Sequence, residues 1–102
     1  MNNKNSIKTV HIYITGRVQG VSYRWWFKNE GEKRKLNGWV RNRTSNRVEA
    51  EIKGTDLNID QMIEKCKTGS PLSNVENVVT NIIDELTLVD KNINGIKILE
   101  TT

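Results

Sequence analysis

The seven residues from Thr9 to Thr15 alternate strictly, with Val10, Ile12 and Ile14 on one side and His11 and Tyr13 on the other, and they run straight into glycines at 16 and 20. A two-residue period places every second side chain on the same face, so this stretch reads as a half-buried strand. Directly afterwards the period changes. Tyr23, Trp26 and Phe27 fall at helical spacing and predict a helix from about residue 22 to about 35. A strand that turns through a glycine-bounded loop into a helix restricts the fold to architectures in which helices pack on a sheet.

The remaining chain extends that alternation of elements. Residues 38–42 and 47–53 both alternate, and the polar link Arg43-Thr44-Ser45-Asn46 makes them a hairpin. Val48, Ala50 and Ile52 are expected to face the core, which leaves Glu49, Glu51 and Lys53 on an open, solvated sheet face. Asp56 is placed to cap a helix whose Ile59, Met62, Ile63 and Cys66 form one apolar stripe, ended by Gly69 and Pro71. Residues 75–83 are rich in β-branched types and read as a strand, and residues 95–99 as a short final one. The order β-α-β-β-α-β plus a terminal strand fits an α+β, ferredoxin-like sandwich: an antiparallel sheet with two helices on one face. A chain of 102 residues buries one modest core, so residues 7–102 are expected to form one domain behind a flexible polar tail, residues 1–6.

Two features of the first helix stand against this scheme. Glu30, Gly31 and Arg34 occupy positions that should continue its apolar stripe, and an interior glycine costs about 1 kcal/mol relative to alanine. Trp25, Trp26 and Trp39 are expected to pack in or at the edge of the core rather than to form a platform for bases or aromatic acyl groups.

The net charge is +4, but its placement matters more. Residues 17–47 carry +7 and the remainder −3. Such a concentration draws in anions, with a strength that fades as salt is added, and nucleic acid responds to it as small anions do. No apolar run reaches the roughly 18 residues of a membrane span, and the polar start lacks the apolar region of a signal peptide. A cytoplasmic protein without a membrane partner is therefore expected. One cysteine and one histidine allow neither an internal disulfide nor a cluster with metal-ligand spacing. Small size without a clear exposed apolar patch favours a monomer.

The loop Gly16-Arg17-Val18-Gln19-Gly20-Val21 carries the chemistry. Its glycines let backbone N–H groups converge at a helix N-terminus, and such a concavity of amides attracts anions. Arg24 adds a guanidinium that forks onto two phosphate oxygens, while Arg17 adds an amide and positive field. The loop thus reads as a phosphate cradle. It is not the nucleotide-hydrolysing kind, which needs Gly-x4-Gly-Lys-Ser/Thr. Nor is a phosphocysteine route open, because the position six residues before the arginine is Val18. What remains is a held phosphate and something to aim water at it. Asn42 ends a strand expected beside the first, and its carboxamide both donates and accepts, as the orienting of a water requires. Asparagine is a poor base, so the leaving group must need little help. Acyl phosphates meet that condition, since a carboxylate leaves readily and the substrate's own phosphate oxygen takes the water's proton. Two other readings share these features: a module that holds a carbamoyl or acyl phosphate without turnover, and one that binds RNA across the sheet, which Glu49 and Glu51 would oppose.

The combination Gly-Arg-Val-Gln-Gly-Val-x-x-Arg at 16–24, Gly-Trp-Val-Arg-Asn at 38–42, Arg47-Val48-Glu49, Gly54 and Gly69-Ser70-Pro71 closely resembles the acylphosphatase family, over nearly the whole chain. The resemblance implies a small enzyme that hydrolyses the carboxyl–phosphate bond, with Arg24 binding phosphate, Asn42 orienting the nucleophilic water and Gly16, Arg17, Val18, Gln19, Gly20 and Val21 supplying the phosphate loop. It implies a small-molecule acyl phosphate as the partner, no nucleic acid and no cofactor or metal. Gly31, Arg34 and Lys35 depart from the family's usual Ala, aliphatic residue and Gly, and Ser22 replaces a residue that is often aromatic, which alters the wall beside the loop.

Overall fold

The computed structural model describes residues 6–20 and 22–102, so Val21 and residues 1–5 of the expected tail lie outside the described residues. The elements are β1 (Ile7–Arg17), α1 (Tyr23–Lys33), β2 (Asn37–Arg43), β3 (Arg47–Thr55), α2 (Asp56–Thr68), β4 (Asn74–Ile83) and β5 (Ile96–Ile98). They form one five-stranded sheet in the order β4-β1-β3-β2-β5, so β2, expected beside β1, is separated from it by β3. The four long strands pair antiparallel, as their alternation requires, but β5 joins β2 in parallel, so the sheet is mixed. Both helices pack on one face, α1 against β2 and β5, and α2 against β1, β3 and β4.

The core between helices and sheet is where the sequence periods meet. Val10, Ile12 and Ile14 from β1 and Val48, Ala50 and Ile52 from β3 are buried against Tyr23 and Phe27 of α1 and Ile59, Met62 and Cys66 of α2. Fully burying an aliphatic or aromatic side chain contributes about 1.5–3 kcal/mol, so this interface holds the layers together. Burial also pushes the Cys66 thiol up to about 12, which leaves it inert as a nucleophile. The cap of α2 is Thr55 rather than Asp56: the Asn58 amide donates to Thr55 Oγ1 at 3.2 Å. Asp56 lies instead in the first turn, where the positive end of the helix favours a carboxylate, 3.7 Å from Lys8.

The first helix is shorter than its spacing predicts, and it is not weakened where a flaw was expected. It ends at Lys33, and Lys35 reverses the chain at φ 58°. Gly31 is buried, and a Cβ there would run into Ile96 Cδ1. Its missing side chain is what lets β5 approach α1. The same junction is held by polar groups, since Lys28 Nζ donates to the Ile96 carbonyl at 2.6 Å and the Ile96 amide donates to Glu32 Oε2 at 2.9 Å. Glu30 and Arg34 pair at 3.1 Å, both partly buried.

The opposite sheet face is not open. Glu49 and Glu51, expected in solvent, are only 6% and 4% exposed. Glu51 accepts from Trp39 Nε1 and from both the backbone amide and the hydroxyl of Thr87, so the segment after β4 reaches over it. Glu49 accepts from Arg41 Nε at 2.9 Å and Arg43 Nη1 at 3.2 Å and lies 2.6 Å from His11 Nε2. Burial alone would raise its carboxyl; the bonds from His11, Arg41 and Tyr13, with the charge of Arg41, outweigh that and hold it below its ordinary value. The repulsion of RNA argued from exposed carboxylates therefore falls away.

Candidate active site

A cleft of about 310 Å³ opens where the glycine loop, the first turn of α1 and the end of β2 meet. Val18 and Gly20 of the loop, Ser22, Tyr23, Arg24 and Trp25 at the start of α1, and Asn42 of β2 line it. Arg24 and Asn42, 18 positions apart in sequence, are thus brought to one cavity. Its size suits a small molecule, being at the lower end of the roughly 300–1,000 Å³ of ligand pockets.

Local backbone demands shape the loop. Pairing of β1 with β4 shifts register between Thr15 and Gly16, and Gly16 adopts φ 120° with the Asn74 carbonyl where a Cβ would sit. This register shift, with β4 backbone so close, is open only to glycine. Val18, 1% exposed, anchors the turn in the core, and its amide donates to the Gly16 carbonyl at 3.0 Å. Gly20 has φ 73° and open space beside its Cα, which leaves the backbone approachable. Ser22 precedes α1 at φ 60°, and its side chain caps nothing. Arg17 is exposed and stands outside the cleft lining.

Gln19 contributes more than a backbone amide. Its Nε2 donates to the carbonyls of Arg43 at 2.7 Å and Arg47 at 3.0 Å, tying the loop to both ends of the β2–β3 turn. No sequence pattern announces such a bond, since any donor suits a backbone carbonyl. Trp25 is the second surprise: it is 61% exposed, against the expectation of burial. Here the spacing held a signal, because α1 buries Tyr23, Phe27 and Gly31, and Trp25 lies off that stripe.

Neither central side chain has its charge or its acceptor matched among the described residues. Among the described residues Arg34 pairs with Glu30, and Arg41 and Arg43 pair with Glu49, but no carboxylate pairs with Arg24. Asn42 Oδ1 is buried without a hydrogen-bond partner among the described residues, and of the four residues with a side-chain atom in that condition Asn42 alone lines the cleft. A buried acceptor left unpaired costs about 1–3 kcal/mol, so its position calls for a donor from outside the chain. Its backbone, by contrast, is held on both sides, by register with Val48 and by the Thr102 amide at 3.3 Å. A larger groove of about 470 Å³ runs between the helices, but its Arg34 and Asp60 are already matched by Glu30 and Lys8.

Comparison with known proteins agrees with this geometry. Residues 10–93 match the model of the acylphosphatase family. The acylphosphatase of Thiobacillus denitrificans is 44% identical over 72 residues, 71% of this chain and 81% of that protein. The crystal structure of the Bacillus subtilis acylphosphatase superposes with a TM-score of 0.80 at 32% identity, covering 92% of this chain and 99% of that one. The Coxiella burnetii acylphosphatase gives 0.81 at 27% identity, covering 91% and 93%. With the family's model spanning both halves of the cleft, and the fold matched over 92% of the chain, the chain belongs to the acylphosphatase family and is an enzyme that hydrolyses acyl phosphates.

Proposed function

We propose that Arg24 and the amides of residues 16–21 hold the phosphate and that Asn42 orients the water that attacks it. The observation that carries this reading is the convergence on one cleft of Asn42, whose Oδ1 has no partner among the described residues, and an Arg24 that no carboxylate among them neutralises. The phosphate oxygens take the guanidinium's N–H groups, and the positive end of α1 adds to the field around them. Asn42 Oδ1 accepts one hydrogen of the water and aims its oxygen at phosphorus. As that P–O bond forms, the bond from phosphorus to the acyl oxygen breaks and the electron pair leaves with the carboxylate. The water's proton passes to a phosphate oxygen, so the products are carboxylate and inorganic phosphate. Positioning and charge stabilisation supply the rate, as suits a reaction whose leaving group needs no acid.

Residues 7–102 act in this reading as one domain, monomeric and cytoplasmic. Supporting that, the free Cys66 is buried and no helix among the described residues is long and apolar enough to cross a membrane. Nucleic acid is not a partner, since Arg34, Arg41 and Arg43 spend their charge on internal carboxylates. The test is benzoyl phosphate hydrolysis, followed by its ultraviolet absorbance with chelator present. The wild type turns over; Arg24→Ala and Asn42→Ala, both folded, do not. A folded wild type that binds phosphate without turnover would replace this reading by simple binding.

A further inference from the structure

We infer that Trp25 is the acyl-group shelf of this enzyme and sets a preference for acyl phosphates with aromatic or extended apolar acyl groups. The inference rests on the hydrolytic reading above. Three observations carry it. The three tryptophans have different fates: Trp39 is 1% exposed, Trp26 packs half-buried against the core, and Trp25 is 61% exposed. An isolated apolar residue on a surface needs no explanation, but Trp25 is not isolated on a convex surface. It lines the same cleft as Arg24 and Asn42.

The geometry of the reaction then gives that indole a task. In an in-line displacement the leaving carboxylate departs opposite the attacking water, so the acyl substituent points away from Asn42 and out of the phosphate cradle. Ser22, Arg24 and Asn42 with the Gly20 backbone give the cleft the polar lining a phosphate requires, and of its apolar residues Val18 and Tyr23 are buried while Trp25 is exposed. Trp25, placed one residue after Arg24 on the first turn of α1, sits about 100° further round the helix and so flanks the phosphate instead of contacting it. Ser22 beside it is small and exposed, leaving the indole face uncovered. Offset or edge-on contact between this ring and an aromatic acyl group gains binding that a methyl group cannot.

Measuring kcat/KM for benzoyl phosphate and acetyl phosphate in the wild type, Trp25→Ala and Trp25→Phe tests this. The ratio of benzoyl to acetyl phosphate should fall about three- to tenfold in Trp25→Ala and be largely kept in Trp25→Phe, with most of the change in KM. Inhibition by inorganic phosphate, which has no acyl group, should be unmoved in both. An unchanged ratio in a Trp25→Ala enzyme that still hydrolyses both substrates overturns the shelf and leaves the hydrolytic reading intact. A folded wild type that hydrolyses neither substrate removes both.

Discussion

Residues 41, 42 and 43 stand side by side on β2, yet they belong to two opposite designs. Arg41 and Arg43 point to the back of the sheet, where Glu49 receives them both and His11 approaches it as well. Asn42 lies on the other face and lines a cleft where, among the described residues, its Oδ1 has no partner and Arg24 has no carboxylate. The back face matches its charges and so contributes stability and rigidity. The cleft leaves Asn42 Oδ1 and Arg24 unmatched among the described residues, and in the proposed reading a substrate and a water complete them. A strand whose alternate residues are clamped on one side presents the intervening residue on the other with little freedom, which is how pairing behind the sheet serves chemistry in front of it.

That contrast is open to deliberate damage. The most severe is to give Arg24 an internal partner: Ser22→Asp sets a carboxylate at the N-terminus of α1, where it competes with phosphate. Activity should drop by about 10²–10³-fold, the scale of losing one oriented charge contact, while the thermal midpoint does not fall, since Asp tolerates φ 60° and suits the helix end. Next is to unmatch the back face. Glu49→Ala leaves Arg41 and Arg43 without their acceptor and should cost about 2–3 kcal/mol in denaturant unfolding, below the 3–5 of a fully buried pair because both arginines reach solvent. Loosening the loop comes third: Gln19→Ala removes two bonds to the β2–β3 turn and should cost about 1–2 kcal/mol, with a raised KM as the readout.

The smallest effect is in the pH dependence. Glu49 is held below its ordinary value of 4.5, so its contribution is complete above that pH and is lost as pH falls through the lowered folded value. Glu49→Gln removes that dependence, and its unfolding free energy should fall less steeply with acid than that of the wild type. Parallel acid-side slopes would mean that the carboxylate does not govern the clamp.

How far these features were legible in sequence depends on the distance of the partner. Alternation in β1 and β3 and the stripe of α2 were readable because each is a local period with one buried face. The same alternation placed Glu49 and Glu51 on the far side correctly but carried no information about what covers that side, which comes from Arg41, Arg43 and Thr87. Gly31 looked like a defect because its complement, Ile96, lies 65 residues onward. The parallel addition of β5 was hidden for the same reason, as a three-residue strand has too few positions to declare a direction. The cleft was the most legible region of all, since Arg24 and Asn42 stand in motifs whose spacing is itself distinctive; Trp25 was misplaced because aromatic content outweighed its position off the stripe.

The central claim is a division of labour between Arg24, which holds the phosphate, and Asn42, which positions water. It is tested most directly by measuring, for each alanine variant, both benzoyl phosphate turnover and competitive inhibition by inorganic phosphate. Arg24→Ala should lose phosphate inhibition and turnover together, whereas Asn42→Ala should bind phosphate like the wild type yet lose about 10²–10³-fold in kcat. An Asn42→Ala enzyme that keeps its kcat, or one that loses phosphate binding in step with it, would contradict the division.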